Sequence, residues 1–406
     1  MTESRIILKP GREKPVINQH PWVFSGAIRD VDGYPQPGEI VSVRAHDGAF
    51  LGRGYWNASS QIRVRLLTWD DEPIDDGWWR KMLKQAIQAR SLQAGLVTGE
   101  ERAAYRLVNA ENDFLPGLIV DRYGDWLVMQ ALTLGIDTRK VMLAEMLADL
   151  VKPQGIYERS DVDVRAKEGL EPATGVLRGI APPERIEIHE NGRAFVDVYN
   201  GHKTGYYLDQ AVNRALLLDL VAAYEGPCHL LNLFSYTGGF SLAALAAGRA
   251  HVVNVDASYE ALELAEAAAT LNQYDAASDE ISAEYIQADV FEYLRDQVDV
   301  GALYDIVVLD PPKFAHSRGQ VESAARGYKD INLHAFQLVR PGGYLMTFSC
   351  SGAISADLFQ KIVFGALVDS GRQAQILQHL GPSPDHPVAL TFPEGAYLKG
   401  LLLRVV

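Results

Sequence analysis

Five residues able to do chemistry punctuate the second half of the chain, each closing a short apolar run: Asn232, Asp256, Asp289, Asp310 and Cys350. One polar tip means little, because every strand must stop somewhere. Five in series read as a site, since open parallel sheets bind ligands outside the carboxyl ends of their strands. The first tip opens into Asn232-Leu-Phe-Ser-Tyr-Thr-Gly-Gly-Phe240, where Gly238 and Gly239 permit a sharp turn and close backbone approach ahead of a helix N-terminus. Asp256 follows Gly238 by 18 residues and closes the next run. A carboxylate there can accept both hydroxyls of an adenosine ribose, and Asp289, one run further, can take the adenine amine. This order implies an adenosine-containing cofactor. Of NAD and S-adenosylmethionine it favours the second, because a pyrophosphate calls for G-x-G-x-x-G and that spacing is absent.

The fourth tip is Asp310-Pro-Pro-Lys-Phe314. Its prolines fix an extended turn and donate no ladder hydrogen bonds. The Asp310 carboxylate and nearby carbonyls then project as acceptors for the amine and ring-nitrogen edge of a nucleobase. Lys313 can meet a phosphate or the base, or lie in solvent; Phe314 can stack on a base or fill the core. The fifth tip, Phe348-Ser-Cys350-Ser-Gly352, sets a thiol beside a glycine at the same end, 40 residues after Asp310. Cys228, at the start of the run PCHLL, reads as an ordinary buried cysteine.

These tips need a scaffold. From about residue 208 helical and strand-like segments alternate: AVNRALLLDLVAAY, CHLLNLF, GFSLAALAAG, HVVNVD, then SYEALELAEAAATLN with Ser258 as its N-cap and Leu262, Ala265 and Ala269 on one face. EYIQAD, YDIVVLD and GYLMTFSC add three more strands, so a mostly parallel sheet covered by helices on both faces is expected. Ahead of it, WWRKMLKQAIQARSLQAGL and TRKVMLAEMLADLV read as helices and LPGLIVDRYGDWLVMQAL as a hairpin. A second hairpin, RIEIHENGRAFVDVY, turns at Asn191-Gly192. The first 70 residues give GEIVSVRAH, AFLGRGYW and SQIRVRLLTW, short strands of a small β-barrel, and DDEPIDDG reads as a linker. The expected division is 1–70, 75–183 and 184–406.

Composition bounds the rest. At about 150 residues per domain, 406 residues make two or three domains. With 48% hydrophobic and 22% charged residues the chain is globular. It has no run of about 18 apolar residues and no apolar core near the start, so a cytoplasmic protein without membrane contact is expected. Two cysteines exclude a disulfide framework and a cysteine-rich zinc site, and no metal is expected. A net charge of −14 argues against indiscriminate nucleic-acid binding. Residues 1–69 nonetheless hold 9 Lys and Arg against 6 Asp and Glu, which permits a local RNA contact or is plain sampling of surface charge.

GREKPVINQHPWVFSGAI, GHKTGYYLDQ, LNLFSYTGGF, VLDPPKF, RGYKDIN, TFSCSG and HPVALTFPEGAYLKG together resemble the RlmI-type methyltransferases, which modify C5 of a cytosine in 23S ribosomal RNA with S-adenosylmethionine. The likeness runs from about residue 5 onward and includes domain order. It implies an α/β fold with an N-terminal β-barrel (PUA) domain, a central α+β domain and a C-terminal Rossmann-like class I methyltransferase domain. The cofactor set it implies is Gln210, Asn232, Phe234, Ser235, Thr237, Gly238, Gly239, Asp256, Ala257, Asp289, Val290, Asp310 and Pro311. The catalytic set is Cys350 as nucleophile to cytosine C6, with Asp310 and Lys313. The implied partner is 23S ribosomal RNA or a large-subunit assembly particle, met as a monomer or a homodimer. Many cytosine-C5 RNA methyltransferases carry a second cysteine where this chain has Pro-Pro-Lys, so the base that removes the C5 proton stays unidentified. Three rivals remain: an exocyclic-amine methyltransferase using Asp310-Pro-Pro-Lys-Phe314, a non-catalytic assembly factor that binds RNA, and a dehydrogenase.

Overall fold

Strand alternation in the first 70 residues buries Ile6, Leu8, Val23, Val41, Val43, Val64 and Leu66 in one cluster. The computed structural model, which describes residues 3–97, 104–274 and 280–406, builds these into a six-stranded sheet. Its order is Trp22–Phe24, Ile62–Thr68, Phe50–Trp56, Ile40–Arg44, Arg5–Leu8 and Ile28–Asp32. The three strands expected from sequence are its centre. A second, five-stranded sheet runs Ala173–Gly179, Gly155–Ser160, Trp126–Ala131, Leu118–Tyr123 and Ala104–Asn109. Helices Asp76–Val97 and Lys140–Val151 accompany it, and Trp79, Leu83, Val120, Met129, Leu143 and Ile156 share its core.

Both sheets belong to one unit, Met1–Ile186, Asp197–Gly205 and Pro384–Gly395. Tyr55 and Leu67 of the first sheet join the core of the second, and Arg65 pairs with Glu111 at 2.8 Å and Glu168 at 2.9 Å. Nor is the acidic stretch a loose linker. Glu72 Oε1 accepts from the Thr68 hydroxyl (3.1 Å) and the Trp78 indole (3.0 Å), and Asp75 caps the following helix at the Trp78 N–H (2.9 Å). Two distant segments return to this unit through buried polar bonds. Thr204 donates to Asp121, itself gripped by Arg106, and Asp385 accepts from the Arg106 N–H.

The second unit comprises Glu187–Val196, Tyr206–Ser383 and Ala396–Val406. Its strands are β1 (Cys228–Leu233), β2 (Ala250–Asp256), β3 (Ser282–Gln287), β4 (Tyr304–Leu309), β5 (Val339–Ser349), β6 (Ala374–Leu380) and β7 (Lys399–Val405). They lie in the order 3-2-1-4-5-7-6, parallel from β3 to β5, with β7 antiparallel to both of its neighbours. Helices α1 (Ala211–Ala222), α2 (Gly239–Ala246), α3 (Tyr259–Leu271), α4 (Val290–Asp299), α5 (Val321–Leu338) and α6 (Ala356–Ser370) connect them. The period of two along each strand feeds two cores. Leu231, Val255, Val307 and Leu345 pack with residues of α4, α5 and α6, while Leu230, Val252, Ile306, Val308 and Met346 pack with residues of α1 and α2. Ser258 caps α3 as expected, its hydroxyl accepting from the Ala261 N–H at 3.2 Å. Among the described residues no helix is long and apolar enough to cross a membrane.

Candidate active site

The glycine turn comes first because everything else is arranged around it. Three of its residues, Phe234, Tyr236 and Gly238, hold left-handed backbone (φ 58°, 48° and 73°). For the two aromatic residues this costs on the order of 1–3 kcal/mol each, a strain that clusters at ligand sites. Gly238 starts α2, and a Cβ there would meet Ala265 at 2.9 Å. A Cβ on Gly239 would meet the Tyr206 hydroxyl at 2.8 Å and Arg214 Cδ at 3.0 Å. The turn is therefore bare backbone under a buried cover. Arg214 stacks its guanidinium on the Tyr206 ring (4.7 Å) and donates to Glu190 (2.5 Å) and to the Tyr207 carbonyl (2.9 Å). Ser235 Oγ and Thr237 Oγ1 of the turn, Arg214 Nη2 beside it and Gln210 Nε2 at the start of α1 are buried without a protein partner. Buried polar atoms left unpaired are costly, and these are chemically suited to a ligand's polar atoms.

Asp256 closes β2 and accepts from the Tyr236 N–H (2.8 Å) through one oxygen and the Ser258 N–H (2.9 Å) through the other. It thus holds the glycine turn to the start of α3, a task the sequence did not disclose. Ala257 beside it is exposed. Asp289 follows β3 and caps α4 with one oxygen, accepting from Phe291 and Glu292. Val290 turns its side chain into the core. Asn232 departs from the expected position. It is 1% exposed, and its amide donates to Ser241 of α2 (2.8 Å) and Asn254 of β2 (3.3 Å). Strand alternation puts it on the α2 face, one residue before β1 ends, so it secures the root of the turn and does not stand at the strand tip.

The fourth and fifth tips do meet. The Cys350 thiol lies 3.9 Å from the Pro311 carbonyl. Ser351 locks the two loops together, its hydroxyl accepting from the Ala315 N–H (3.2 Å) and pairing with the Tyr328 hydroxyl (3.0 Å). Tyr207 faces both. Burial pushes its hydroxyl well above the ordinary range, and Asp310, Tyr236 and Cys350 add to the shift. Its ring also meets Tyr236 edge-on at 5.3 Å. Lys313 is exposed. Phe314 packs against Tyr328 (4.7 Å) and Phe291 (5.9 Å), within the aromatic side of the core. Cys350 is half-buried and Cys228 fully buried, and neither forms a disulfide.

Lys399 completes the site. It is 8% exposed, and its ammonium donates to the carbonyls of Ser351 and Ile354, each at 2.7 Å. Sequence reasoning missed Lys399, Tyr207, Arg214 and Ser351. Tyr207 and Lys399 stand inside GHKTGYYLDQ and HPVALTFPEGAYLKG, which was the available signal. Among the described residues no group of three His, Cys, Asp or Glu is placed to hold a metal.

Comparison with known proteins identifies the family. Residues 6–69 match the family model of a PUA-like domain, and residues 167–404 that of an S-adenosylmethionine-dependent methyltransferase. The chain is 47% identical over 401 residues to ribosomal RNA large subunit methyltransferase I of Aeromonas salmonicida, covering 98% of each. It is 48% identical over 403 residues to the protein of that name from Shewanella amazonensis, covering 99% of each. Two solved structures share the fold across 98% of this chain and 99% of theirs. One is a candidate SAM-dependent methyltransferase from Streptococcus mutans (20% identity, TM-score 0.80), and the other is SMU.776, a candidate methyltransferase complexed with SAH (21%, 0.82). The chain belongs to the S-adenosylmethionine-dependent methyltransferases and, among them, to the family of ribosomal RNA large subunit methyltransferase I.

Proposed function

We propose that the chain methylates C5 of a cytosine in 23S ribosomal RNA through a bond between Cys350 and C6 of the base. One observation carries this reading: the thiol stands at the carboxyl end of β5, half-exposed and 3.9 Å from the Pro311 carbonyl of the neighbouring tip. The PUA-like module at residues 6–69 is the part we assign to RNA contact.

The residues around the glycine turn fit the cofactor. The unpaired donors Gln210 Nε2 and Arg214 Nη2, with the hydroxyls of Ser235 and Thr237, suit the carboxylate and amine of its amino-acid end. Gly238 and Gly239 leave backbone for close approach, with Phe234 alongside. Asp256 keeps lone pairs for ribose hydroxyls beyond its two backbone bonds, and the second oxygen of Asp289, which takes no part in capping α4, suits the adenine amine. Ala257, Val290, Asp310 and Pro311 are assigned to the cofactor's surroundings in the same reading. When bound, the cofactor supplies an electrophilic methyl group on a sulfonium.

Cytosine C5 is too electron-poor to take a methyl group unaided. Addition of the Cys350 thiolate to C6 breaks the C5–C6 π bond and makes C5 nucleophilic. Asp310 orients the base by its amine and N3 edge, and the exposed Lys313 can meet a phosphate. After C5 is alkylated, loss of its proton re-forms the double bond and expels the cysteine. A free thiol has pKa ~8.5, so full ionisation at pH 7 costs about 2 kcal/mol without help. Reaching C6 requires the nucleotide to be unstacked.

The test is Cys350→Ala. Methyl transfer to ribosomal RNA disappears while S-adenosylmethionine binding stays within a few-fold; persistent turnover would remove the covalent route. Base-resolved mass spectrometry of the product must show 5-methylcytosine, and an N-methylated purine would replace this reading.

A further inference from the structure

We propose that Lys399 is a positioning residue for methyl transfer, carried in on β7 to shape the Cys350 turn and to stabilise the Cys350 thiolate. The inference rests on the reading of Cys350 as nucleophile.

Register places Lys399 there. β7 runs antiparallel to β5 with Lys399 directly opposite Ser349, so its side chain enters at the carboxyl end of β5, one residue before the thiol. Its two bonds, to the Ser351 and Ile354 carbonyls, wrap the turn that follows Cys350. Carbonyls satisfy hydrogens but carry no charge. Among the described residues no carboxylate pairs with this ammonium, and its charged neighbours are Cys350, whose thiolate favours it, and Lys313, which opposes it. Burial, the largest influence, brings its pKa down to about 8. A buried cation without a counter-charge is costly, and a methionine of similar length would avoid that cost. The arrangement makes sense when the counter-charge forms during the reaction.

Of the groups described around the thiol, Lys399 is the buried cation. Tyr207 approaches it from ahead of α1, and Tyr328 from α5, where burial raises that hydroxyl too. Asp310 is a carboxylate on the neighbouring tip, within reach of Tyr207, and Lys313 is exposed. An opposite charge within about 4–6 Å lowers a thiol's pKa by one or more units, and the tyrosines cannot do this.

Alkylation of Cys350 by iodoacetamide against pH, read on the intact chain by peptide mass spectrometry, tests the proposal without requiring turnover. The wild-type midpoint is expected below the ordinary ~8.5. Lys399→Met raises it by at least about one pH unit and slows alkylation at pH 7 about tenfold. Lys399→Arg, which keeps charge and donors, restores most of the difference. In turnover, Lys399→Met lowers kcat with little change in S-adenosylmethionine affinity. A wild-type midpoint at or above ~8.5 overturns the proposal even if the Met variant does not fold. So does an unchanged midpoint in Lys399→Met, or an Arg variant as impaired as Met. Turnover surviving in Cys350→Ala would instead overturn the nucleophile assignment, a separate result.

Discussion

At both ends of the seven-stranded sheet a cysteine, a carboxylate and a cation come together, with opposite consequences. At the amino ends of the strands, Arg340 of β5 donates to both oxygens of Asp305 in β4 (2.8 Å each), and Asp305 also accepts from the His229 N–H (2.8 Å). The charges are spent on each other. Beside them Cys228 is fully buried, and burial, reinforced by Asp305, pushes its thiol up to about 12. At the carboxyl ends, Lys399 is held, among the described residues, by two carbonyls, and Cys350 keeps access. In our reading the same residue types make ballast at one edge and a reactive centre at the other. What separates them is whether the cation already has an acid partner and whether the thiol is walled off.

Exchanging one cysteine at a time gives the largest expected contrast. Cys350→Ala reduces methyl transfer by more than about a thousandfold, whereas Cys228→Ala leaves it within about twofold. Comparable losses in single-turnover assays would break the distinction between the edges. The glycine turn sharpens it next. Asp256→Ala removes an acceptor that serves both Tyr236 and, in our reading, the ribose, and weakens S-adenosylmethionine by about tenfold to a hundredfold, more than it weakens RNA. Equal losses in parallel titrations would count against the ribose assignment.

At the amino edge the effects are on stability. Asp305→Ala strands the Arg340 guanidinium and the His229 N–H, costing about 1–3 kcal/mol in urea unfolding with kcat unchanged. A fall in kcat comparable to that of a carboxyl-edge variant would show that the edges are not independent. The smallest effect is in pH. The Cys228 thiol is raised in the folded protein to about 12 from its ordinary value. Its neutral form therefore contributes stability that is whole below pH 9 and declines as pH rises from there toward 12. The Cys228→Ala variant should lose less stability than wild type over that interval, as followed by unfolding midpoints. An identical decline in both would assign it to other groups.

Much of the carboxyl edge was legible because it is written locally. Apolar runs announce parallel strands, and the residue after each run falls at the ligand-facing end, as Asp256, Asp310 and Cys350 do. Asn232 was misjudged by one position. A polar residue inside an apolar run is as compatible with a buried pair as with a tip, and only the register that sets Asn232 against Asn254 decides. Lys399 was out of reach for the same reason. It stands 49 residues beyond Cys350, and nothing periodic in the sequence says that an antiparallel strand inserts there. The segments 197–205 and 384–395 read as part of the last domain by position, yet Thr204 and Asp385 bind into the first unit. Long-range polar pairing of this kind leaves no local trace.

The interior position of β7 has a consequence for synthesis. Emerging after β6 yet lying between β5 and β6, it cannot be added in the order in which the ribosome delivers the polypeptide. Until residues 399–405 leave the exit tunnel, β5 presents a bare margin and β6 has no neighbour to pair with, both invitations to mispairing. The parallel strands can thus assemble in the order of the chain, whereas the Cys350 edge is joined to its last two neighbours only once residues 399–405 are at hand to pair with both.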